Sequence, residues 1–304
     1  MEKLLERPRI LIVGCGDVGL RCARLLAARF RVFALVRGAD GERHALLRAA
    51  GVIPVPGDLD DPLSLHRIAG LAPWVLHLAP PQDRGMRDTR MRNLLPRLGA
   101  VERLVYVSTS GVYGDCQGEF IDETREVAPR NARALRRVDA ERRLRRWARG
   151  TQCTVSIVRA PGIYGENRLP LARLAKGTPV LAAADDVHTN HIHADDLARI
   201  VVAALFHGSP QRVYHASDDS NLKMADWFDQ VARVFDLPSP PRLPRAELET
   251  ALADQPMLLS FMRESRRLAN QRIKGELAVR LAYPTTAAGL AAGLAASRVQ
   301  TQAN

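Results

Sequence analysis

The stretch RILIVGCGDVGLRCARLL, residues 9–26, decides the fold. A hydrophobic run, ILIV, leads directly into glycines with G-x-G-x-x-G spacing and then into a pattern typical of a helix. Glycines lack Cβ atoms, so the backbone can approach a pyrophosphate, and the helix N-terminus adds unpaired N–H groups. We therefore predict a dinucleotide-binding loop, the alternative being an ordinary tight strand–helix turn. The loop residues expected to contact the nucleotide are Gly14, Gly16, Asp17, Val18 and Gly19.

Short apolar runs separated by helical patterns continue along the first half of the chain. Buried parallel strands have such continuous runs of branched apolar residues, because both of their faces are covered. Repeated strand–helix alternation predicts an α/β fold with a Rossmann-type, doubly wound parallel sheet. The predicted strands are ILIV (10–13), RVFALV (31–36), GVIPV (51–55), WVLHLA (74–79), RLVYVS (103–108), TVSIVR (154–159) and VYHA (213–216).

This rhythm changes after residue 165, where helical patterns and the proline-rich segment LPSPPRLP dominate. We expect a dinucleotide-binding domain over residues 1–165, to which residues 188–216 return. Residues 166–187 and 217–304 are expected to form a smaller, mostly helical C-terminal lobe that binds the substrate.

Composition excludes several classes of protein. Hydrophobic residues make up 46% of the 304 residues, as in ordinary globular proteins. The net charge is +11, but nearly all 44 basic residues are arginine and aromatics are only 5%, so no nucleic-acid partner is expected. The four cysteines have no C-x-x-C spacing, which favours a reducing cytosol over zinc or disulfides. No apolar run reaches the roughly 18 residues of a membrane span, and no signal peptide is evident, so we expect a cytoplasmic protein without a membrane partner.

The end of the second predicted strand bears on the cofactor. An acidic residue about 20 positions after the glycines binds the ribose 2′-hydroxyl of NAD, whereas an arginine accommodates the 2′-phosphate of NADP. The chain has Arg37 there and no acid between Asp17 and Asp40. We therefore predict NADP, with NAD as the alternative cofactor and a solvated arginine as the alternative role of Arg37.

Seven motifs together resemble the short-chain dehydrogenase/reductase superfamily, in its extended, epimerase/dehydratase-like branch. They are VGCGDVG (13–19), GDLDD (57–61), VLHLAPP (75–81), YVSTSGVYGD (106–115), VRAPGIYG (158–165), NHIHADDLA (190–198) and YHASDD (214–219). The resemblance implies that Thr109 supplies the hydroxyl that bonds the reacting oxygen of the substrate. It also implies cofactor contacts by Asp58 and Leu59 at the adenine, by Leu78, Ala79 and Pro80 along the cofactor, and by Pro161, Gly162 and Ile163 at the nicotinamide.

Active members of this superfamily carry Tyr-x-x-x-Lys on the next helix, and this chain has Arg133 and Arg137 at those positions. At about 100° per residue, both arginines fall on the stripe that faces the sheet and the cofactor. An arginine cannot serve as a general acid near neutral pH, but it can hold a phosphate or carboxylate in a bidentate fork. We therefore predict an atypical site built on Thr109, Arg133 and Arg137, with an anionic substrate.

Two further features have structural interpretations. The segment HTNHIHADD resembles a metal site through its three histidines and two aspartates, but the resemblance gives it a structural role and no metal is predicted. Asp195 is expected to cap the helix that follows. Leu135 and Val138 lie off the buried stripe of their helix, and superfamily members dimerise through this helix, so we expect a homodimer, with local packing as the alternative.

Two functions remain open from the sequence. The first is an NADP-dependent oxidoreductase or epimerase that acts on a nucleotide sugar or a related polar small molecule. The second is a non-catalytic module that senses NADP(H), which the missing Tyr-x-x-x-Lys pair favours. We prefer the enzyme, because a C-terminal lobe that forms a pocket indicates a small-molecule ligand.

Overall fold

The computed structural model describes residues 7–38 and 41–302, so Asp40 lies outside the described residues. A central sheet of seven parallel strands organises the molecule, in the order β7-β6-β5-β4-β1-β2-β3. The strands are β1 Arg9–Val13, β2 Arg31–Val36, β3 Val52–Pro56, β4 Trp74–His77, β5 Arg103–Thr109, β6 Thr154–Ala160 and β7 Arg212–His215. Each of the seven predicted runs forms one of these strands, which confirms the predicted α/β, doubly wound sheet.

Helices cover both faces of the sheet and build the rest of the chain. Along β1, Ile10 and Ile12 enter the apolar core on one face, while Leu11 and Val13 enter the core on the other. Both faces are therefore dry, which explains why the strand sequences are continuously apolar. The helices are α1 Asp17–Leu26, α2 Gly41–Ala49, α3 Thr89–Leu94, α4 Ala132–Thr151, α5 Leu171–Ala175, α6 Ala194–His207, α7 Met224–Val234, α8 Arg245–Ala251, α9 Pro256–Met262, α10 Gln271–Gly275 and α11 Thr286–Gln302, with 3₁₀ turns at Pro62–Ile68, Leu95–Arg97 and Ser110–Tyr113.

The strand order reverses beside β1, which pairs with β2 on one side and with β4 on the other. The connections after β1 and β4 leave in opposite directions at this point, so a crevice opens at the carboxyl ends of the two strands. Ligands of open α/β sheets bind in such a crevice. The glycine loop follows β1 and therefore lies at its edge.

The C-terminal lobe is mostly helical, as predicted, and α5, α7, α8, α9 and α11 belong to it. The other eight strands of the described chain form four pairs of two- or three-residue strands, within the lobe and beside it. They join Gly162–Tyr164 to His191–His193, His188–Thr189 to Leu222–Lys223, Val180–Leu181 to Arg242–Leu243, and Phe120–Ile121 to Arg267–Leu268. Residues 188–216 separate the two lobe segments in sequence. Their helix α6 packs on α1, and their strand β7 extends the sheet. No helix in the described part of the chain is long and apolar enough to cross a membrane.

Two local expectations are wrong. Val138 is only 4% exposed, because it packs against Val112 and Leu268 in an apolar cluster on the second side of α4. Val138 lies off the stripe of α4 that faces the sheet, but it is not a surface residue. Of Leu135 and Val138, only Leu135 is partly exposed. Asp195 does not cap α6 either: His193 is the N-cap residue, and its ring accepts a hydrogen bond from the Asp195 amide.

Candidate active site

The glycine loop has the geometry that a bound nucleotide requires. Gly14 has a φ of +90°, and a Cβ there would clash with the backbone of Ala79. A Cβ at Gly19 would lie 2.8 Å from the Gly14 carbonyl oxygen, which fixes the close packing of α1 on the loop. At Gly16, by contrast, a Cβ would meet no protein atom within 4 Å. Packing does not explain the absence of a side chain at Gly16, but the approach of a ligand to the helix N-terminus does.

A cavity of about 1130 Å³ opens over this loop and continues beneath the C-terminal lobe. This volume exceeds the 300–1,000 Å³ usual for a single small-molecule pocket, so a dinucleotide and a second ligand can share it. All of the predicted site residues lie in its wall. They are Gly14, Gly16, Asp17, Val18, Gly19, Arg37, Asp58, Leu59, Leu78, Ala79, Pro80, Thr109, Arg133, Arg137, Pro161, Gly162 and Ile163.

The adenosine end of the cavity is cationic. Arg37 directly follows β2, and Arg43 of α2 reaches back to the carbonyl oxygen of Cys15 in the glycine loop. Both arginines line the cavity, as does Asp58. The sequence analysis did not identify Arg43, although a second arginine six residues after Arg37 was a visible signal.

Asp17, at the start of α1, ties the loop to the lobe. Its carboxylate accepts hydrogen bonds from Arg21 at 2.9 Å and from Arg168, beyond β6, at 2.7 Å. Burial favours the neutral acid, but these two hydrogen bonds outweigh burial and hold the pKa of Asp17 below its usual value. Arg21 also pairs with Asp195, so charged groups connect α1, α6 and the segment after residue 165.

Thr109 and Arg137 lie side by side at the carboxyl end of β5. The Thr109 hydroxyl oxygen accepts a hydrogen bond from the Gly111 amide at 3.3 Å, and its own proton remains a donor. Nη1 of Arg137 donates to the Tyr106 hydroxyl at 3.0 Å and to the Val107 carbonyl at 2.7 Å. These bonds fix the guanidinium of Arg137 against the strand that presents Thr109.

Arg133, one helical turn before Arg137, lies closer to the lobe. Its guanidinium stacks on the ring of Phe261 from α9, at 4.7 Å from the centroid. Burial and the charge of Arg137 lower the pKa of Arg133, while Glu264 opposes them. Both arginines lie in the cavity wall, but only Arg137 faces the sheet as the helical spacing predicted. Arg133 is exposed and packs against the lobe.

Neither tyrosine of the VYG and IYG motifs is available as a proton donor. Tyr164 lines the cavity, but its hydroxyl donates to the Thr285 carbonyl at 3.2 Å, and burial raises its pKa. The Tyr113 hydroxyl lies between the His215 ring and the guanidinium of Arg159, outside the cavity wall. Both tyrosines therefore have structural roles.

The later part of the chain contributes wall residues that the sequence analysis did not assign. His191 lies 4.3 Å from the ring of Trp227, and burial lowers its pKa to about 3, so it is neutral. Arg173 of α5 and Arg266 complete the lobe side of the cavity. Among the described residues, no three His, Cys, Asp or Glu side chains are grouped to hold a metal ion. In the sequence, the histidine segment resembles a metal site, and the spacing of its residues does not indicate that they line a cavity.

The comparisons with known proteins agree with this architecture. Residues 10–216 match the model of the NAD dependent epimerase/dehydratase family. A functionally unknown conserved protein from Silicibacter pomeroyi DSS is 28% identical, with a TM-score of 0.77 over 95% of this chain and 99% of that one. A search of curated proteins gave no match.

Two solved enzymes below 25% identity share the fold. UDP-glucose 4-epimerase from Thermotoga maritima, solved with UDP-glucose, is 18% identical, with a TM-score of 0.76 over 96% of this chain and 99% of the enzyme. dTDP-glucose 4,6-dehydratase from Streptomyces venezuelae, solved with NAD bound, is 21% identical, with a TM-score of 0.76 over 97% of this chain and 98% of the enzyme. With the family model covering residues 10–216, the chain belongs to the NAD-dependent epimerase/dehydratase family.

Proposed function

We propose that the protein binds NADP(H) in preference to NAD(H) and acts as an oxidoreductase or epimerase on an anionic, polar small molecule. Nucleotide sugars are the first substrate class to test, since two structural neighbours were solved as nucleotide-sugar enzymes. The observation that carries the proposal is the single cavity that joins the glycine loop, Thr109 and the pair Arg133 and Arg137.

The residues present fit a dinucleotide. Gly16 leaves open space at the N-terminus of α1 for a pyrophosphate, and Arg37 with Arg43 suits a 2′-phosphate at the adenosine end. When bound, the nicotinamide ring supplies hydride transfer. Pro161 and Gly162 would border that ring, in the wall opposite the glycine loop.

Thr109 and the two arginines contact different groups of the substrate. The Thr109 hydroxyl donates a hydrogen bond to the reacting oxygen and orients it. The cationic pair Arg133 and Arg137 binds a phosphate or carboxylate of the substrate, because a guanidinium offers a planar fork of donors. Neither arginine gives up its proton near neutral pH, so the proton must pass through Thr109 to water or to a group of the substrate itself.

Slow turnover follows from this arrangement. General acid–base catalysis contributes about 10²- to 10⁴-fold in enzymes that have a tuned donor, and the described cavity wall offers no tyrosine in that role. The same observation favours the second candidate, a non-catalytic sensor of NADP(H). Turnover separates the two functions, since a sensor binds the cofactor without consuming it.

Two measurements test the proposal. The first is a screen of nucleotide sugars and simple carbonyl compounds for NADPH oxidation or NADP reduction. The second is thermal stabilisation by phosphate, compared between the parent, Arg137→Ala and the control Arg142→Ala, which changes an exposed arginine of the same helix. We expect measurable but slow turnover, and phosphate stabilisation that Arg137→Ala loses and Arg142→Ala keeps.

Each outcome of these measurements supports or refutes one part of the proposal. Absence of NADPH binding would refute the cofactor proposal, and binding without any turnover would favour the sensor. Fast turnover would show that the site has a proton donor other than Thr109. Equal phosphate stabilisation of the parent and Arg137→Ala would remove Arg137 from the substrate site.

A further inference from the structure

Arg173 occupies an unusual position on the lobe side of the cavity. Its guanidinium carbon lies 4.2 Å from the ring centroid of Phe228, and Nη2 donates to the Pro179 carbonyl at 3.3 Å. Nε is buried and has no hydrogen-bond partner within the described part of the chain. The side chain lines the cavity, and the unused donor that a ligand can reach is Nη1, which makes no hydrogen bond to a described residue and is not among the buried atoms.

The charge of Arg173 also lacks compensation. Burial is the one cause that shifts its pKa, which falls to about 10, and no carboxylate of the described residues counteracts the shift. Arg159, which is buried, does have a carboxylate partner: Glu141 binds it through both oxygens, at 3.1 and 2.7 Å. Burial lowers the pKa of Arg159, but the hydrogen bonds and charge of Glu141 outweigh burial and raise it. Arg173 is partly shielded from water, and a shielded cation without a partner is unfavourable, so the counter-ion of Arg173 is expected to come from a ligand.

Arg173 is electrostatically separate from the arginines of α4. Arg137, Arg266 and Arg136 each lower the pKa of Arg133, whereas none of them contributes to the shift of Arg173. Two of the three carboxylates in the cavity wall are engaged elsewhere: Asp17 binds Arg21 and Arg168, and Glu264 binds Arg266 at 2.9 Å. The third, Asp58, does not contribute to the shift of the Arg173 pKa.

The wall around Arg173 is aromatic rather than charged. Phe228 lies under its guanidinium, and the neighbouring Trp227 of α7 packs against the neutral His191. Such a wall excludes water, which strengthens a hydrogen bond between a guanidinium and an anion. A single cation with a planar fork, set in an apolar wall, suits one carboxylate or phosphate group.

We propose that Arg173 forms a second anion subsite, so that the substrate carries two separated anionic groups, one at Arg133 and Arg137 and one at Arg173. This inference rests on the proposed function, since it assumes that the α4 pair binds an anion of the substrate. Carboxylate and phosphate share the required chemistry, and the experiment distinguishes them.

The experiment measures binding of small anions by calorimetry in the presence of saturating NADPH, which occupies the glycine loop. The probes are acetate, the dicarboxylates succinate, glutarate and adipate, and inorganic phosphate. The variant is Arg173→Met, which removes the charge but retains an unbranched side chain on Phe228. The control is Arg233→Met, which changes an exposed arginine of α7 in the same lobe. If Arg173→Met does not fold, Arg173→Gln replaces it with the same expectation.

We expect the parent to bind one of the dicarboxylates at least about tenfold more tightly than acetate, because that ligand engages both subsites. Arg173→Met should abolish this advantage and Arg233→Met should retain it. Stronger binding of phosphate than of acetate, lost in Arg173→Met, would assign a phosphate to the subsite instead of a carboxylate.

Equal affinities of the parent and Arg173→Met for every probe would overturn the inference and leave Arg173 a packing residue. Failure of the proposed function gives a different pattern. In that case, NADPH does not bind, or acetate and phosphate bind equally to the parent and Arg137→Ala. A protein that binds NADPH and needs Arg137 but not Arg173 for anions would refute the second subsite alone.

Discussion

Replacement of Arg37 by alanine tests the cofactor preference at the residue from which it was inferred. Arg37 is the first residue after β2 and is exposed in the cavity wall. Its charge acts on this end of the cavity, since it contributes to the lowered pKa of Asp60, for which the hydrogen bond from Arg90 is the main cause. Arg90 holds both oxygens of Asp60, at 2.9 and 2.7 Å, so this acid opposes a bound phosphate less than a free carboxylate would.

The expected magnitude follows from the exposure of Arg37. A hydrogen bond between charged groups contributes about 1.5–3 kcal/mol when it is well shielded. Solvent screening of an exposed arginine reduces this to about 1–1.5 kcal/mol. Arg37→Ala should therefore weaken NADPH binding about 5- to 12-fold and leave NADH binding nearly unchanged.

The assay is a fluorescence titration of NADPH and NADH at fixed ionic strength. Arg43→Ala should also narrow the gap between the two cofactors, whereas Arg48→Ala, at an exposed position of the same helix, should not. Higher KCl concentrations should reduce the preference of the parent, because salt screens the phosphate contacts. Equal affinities of the parent for the two cofactors, or an equal loss of both in Arg37→Ala, would refute the reasoning.

Three other predictions concern stability and assembly. Glu141→Gln leaves Arg159 buried without its counter-ion, so urea unfolding should show a loss of about 3–5 kcal/mol, and a loss below about 1 kcal/mol would contradict this. Burial lowers the pKa of three histidines to about 3: His77, His191 and His215. Below pH 6.5 the three histidines bind protons in the unfolded chain but not in the folded chain, which lowers the free energy of unfolding. Asp218 has the opposite effect, because burial raises its pKa to about 7 and the folded chain binds one proton there. The free energy of unfolding should thus fall by about 2 kcal/mol from pH 6.5 to 5.5, and a flat profile would count against neutral buried histidines. Light scattering should report a dimer of about twice 33.5 kDa that Leu135→Asp dissociates, whereas Val138→Asp should unfold the protein; a monomeric parent would end the dimer proposal.

The sheet and the nucleotide loop could be predicted from the sequence because their signals are local. Each strand is an uninterrupted apolar run, and burial on both faces leaves no competing pattern. The glycine spacing is equally local, since it describes one turn of backbone between β1 and α1. The position of Arg137 on α4 follows from helical periodicity, which fixes the face that a residue shares with its neighbours.

The remaining features depend on contacts between distant segments. Val138 is buried because Leu268, 130 residues later, packs on a second face of α4, and no periodicity within the helix reveals such a partner. His193 caps α6 because the helix begins at Ala194, whereas Asp195 lies inside the first turn and pairs with Arg21 of α1. Arg173 enters the cavity wall through the lobe, whose short strands and helices carry weak patterns. Sequence reasoning identified the cavity-wall residues near the glycine loop and the sheet, and missed most of those that the lobe contributes, for this reason.

The exchange of a tyrosine and a lysine for two arginines changes what the site can discriminate. A tyrosine with a lowered pKa acts on the reacting oxygen, so it accelerates the reaction of any substrate with a carbonyl in the correct place. A guanidinium cannot exchange its proton, but Arg137 is fixed on β5 by two hydrogen bonds and presents its charge in the cavity wall that also contains Thr109. A fixed charge in the wall that contains Thr109 favours binding of a substrate with an anionic group at that point. An unpaired Arg173 would favour a substrate with a second anionic group. Under the proposed function, the site turns over generic carbonyls slowly and selects its ligand by the pattern of its charges.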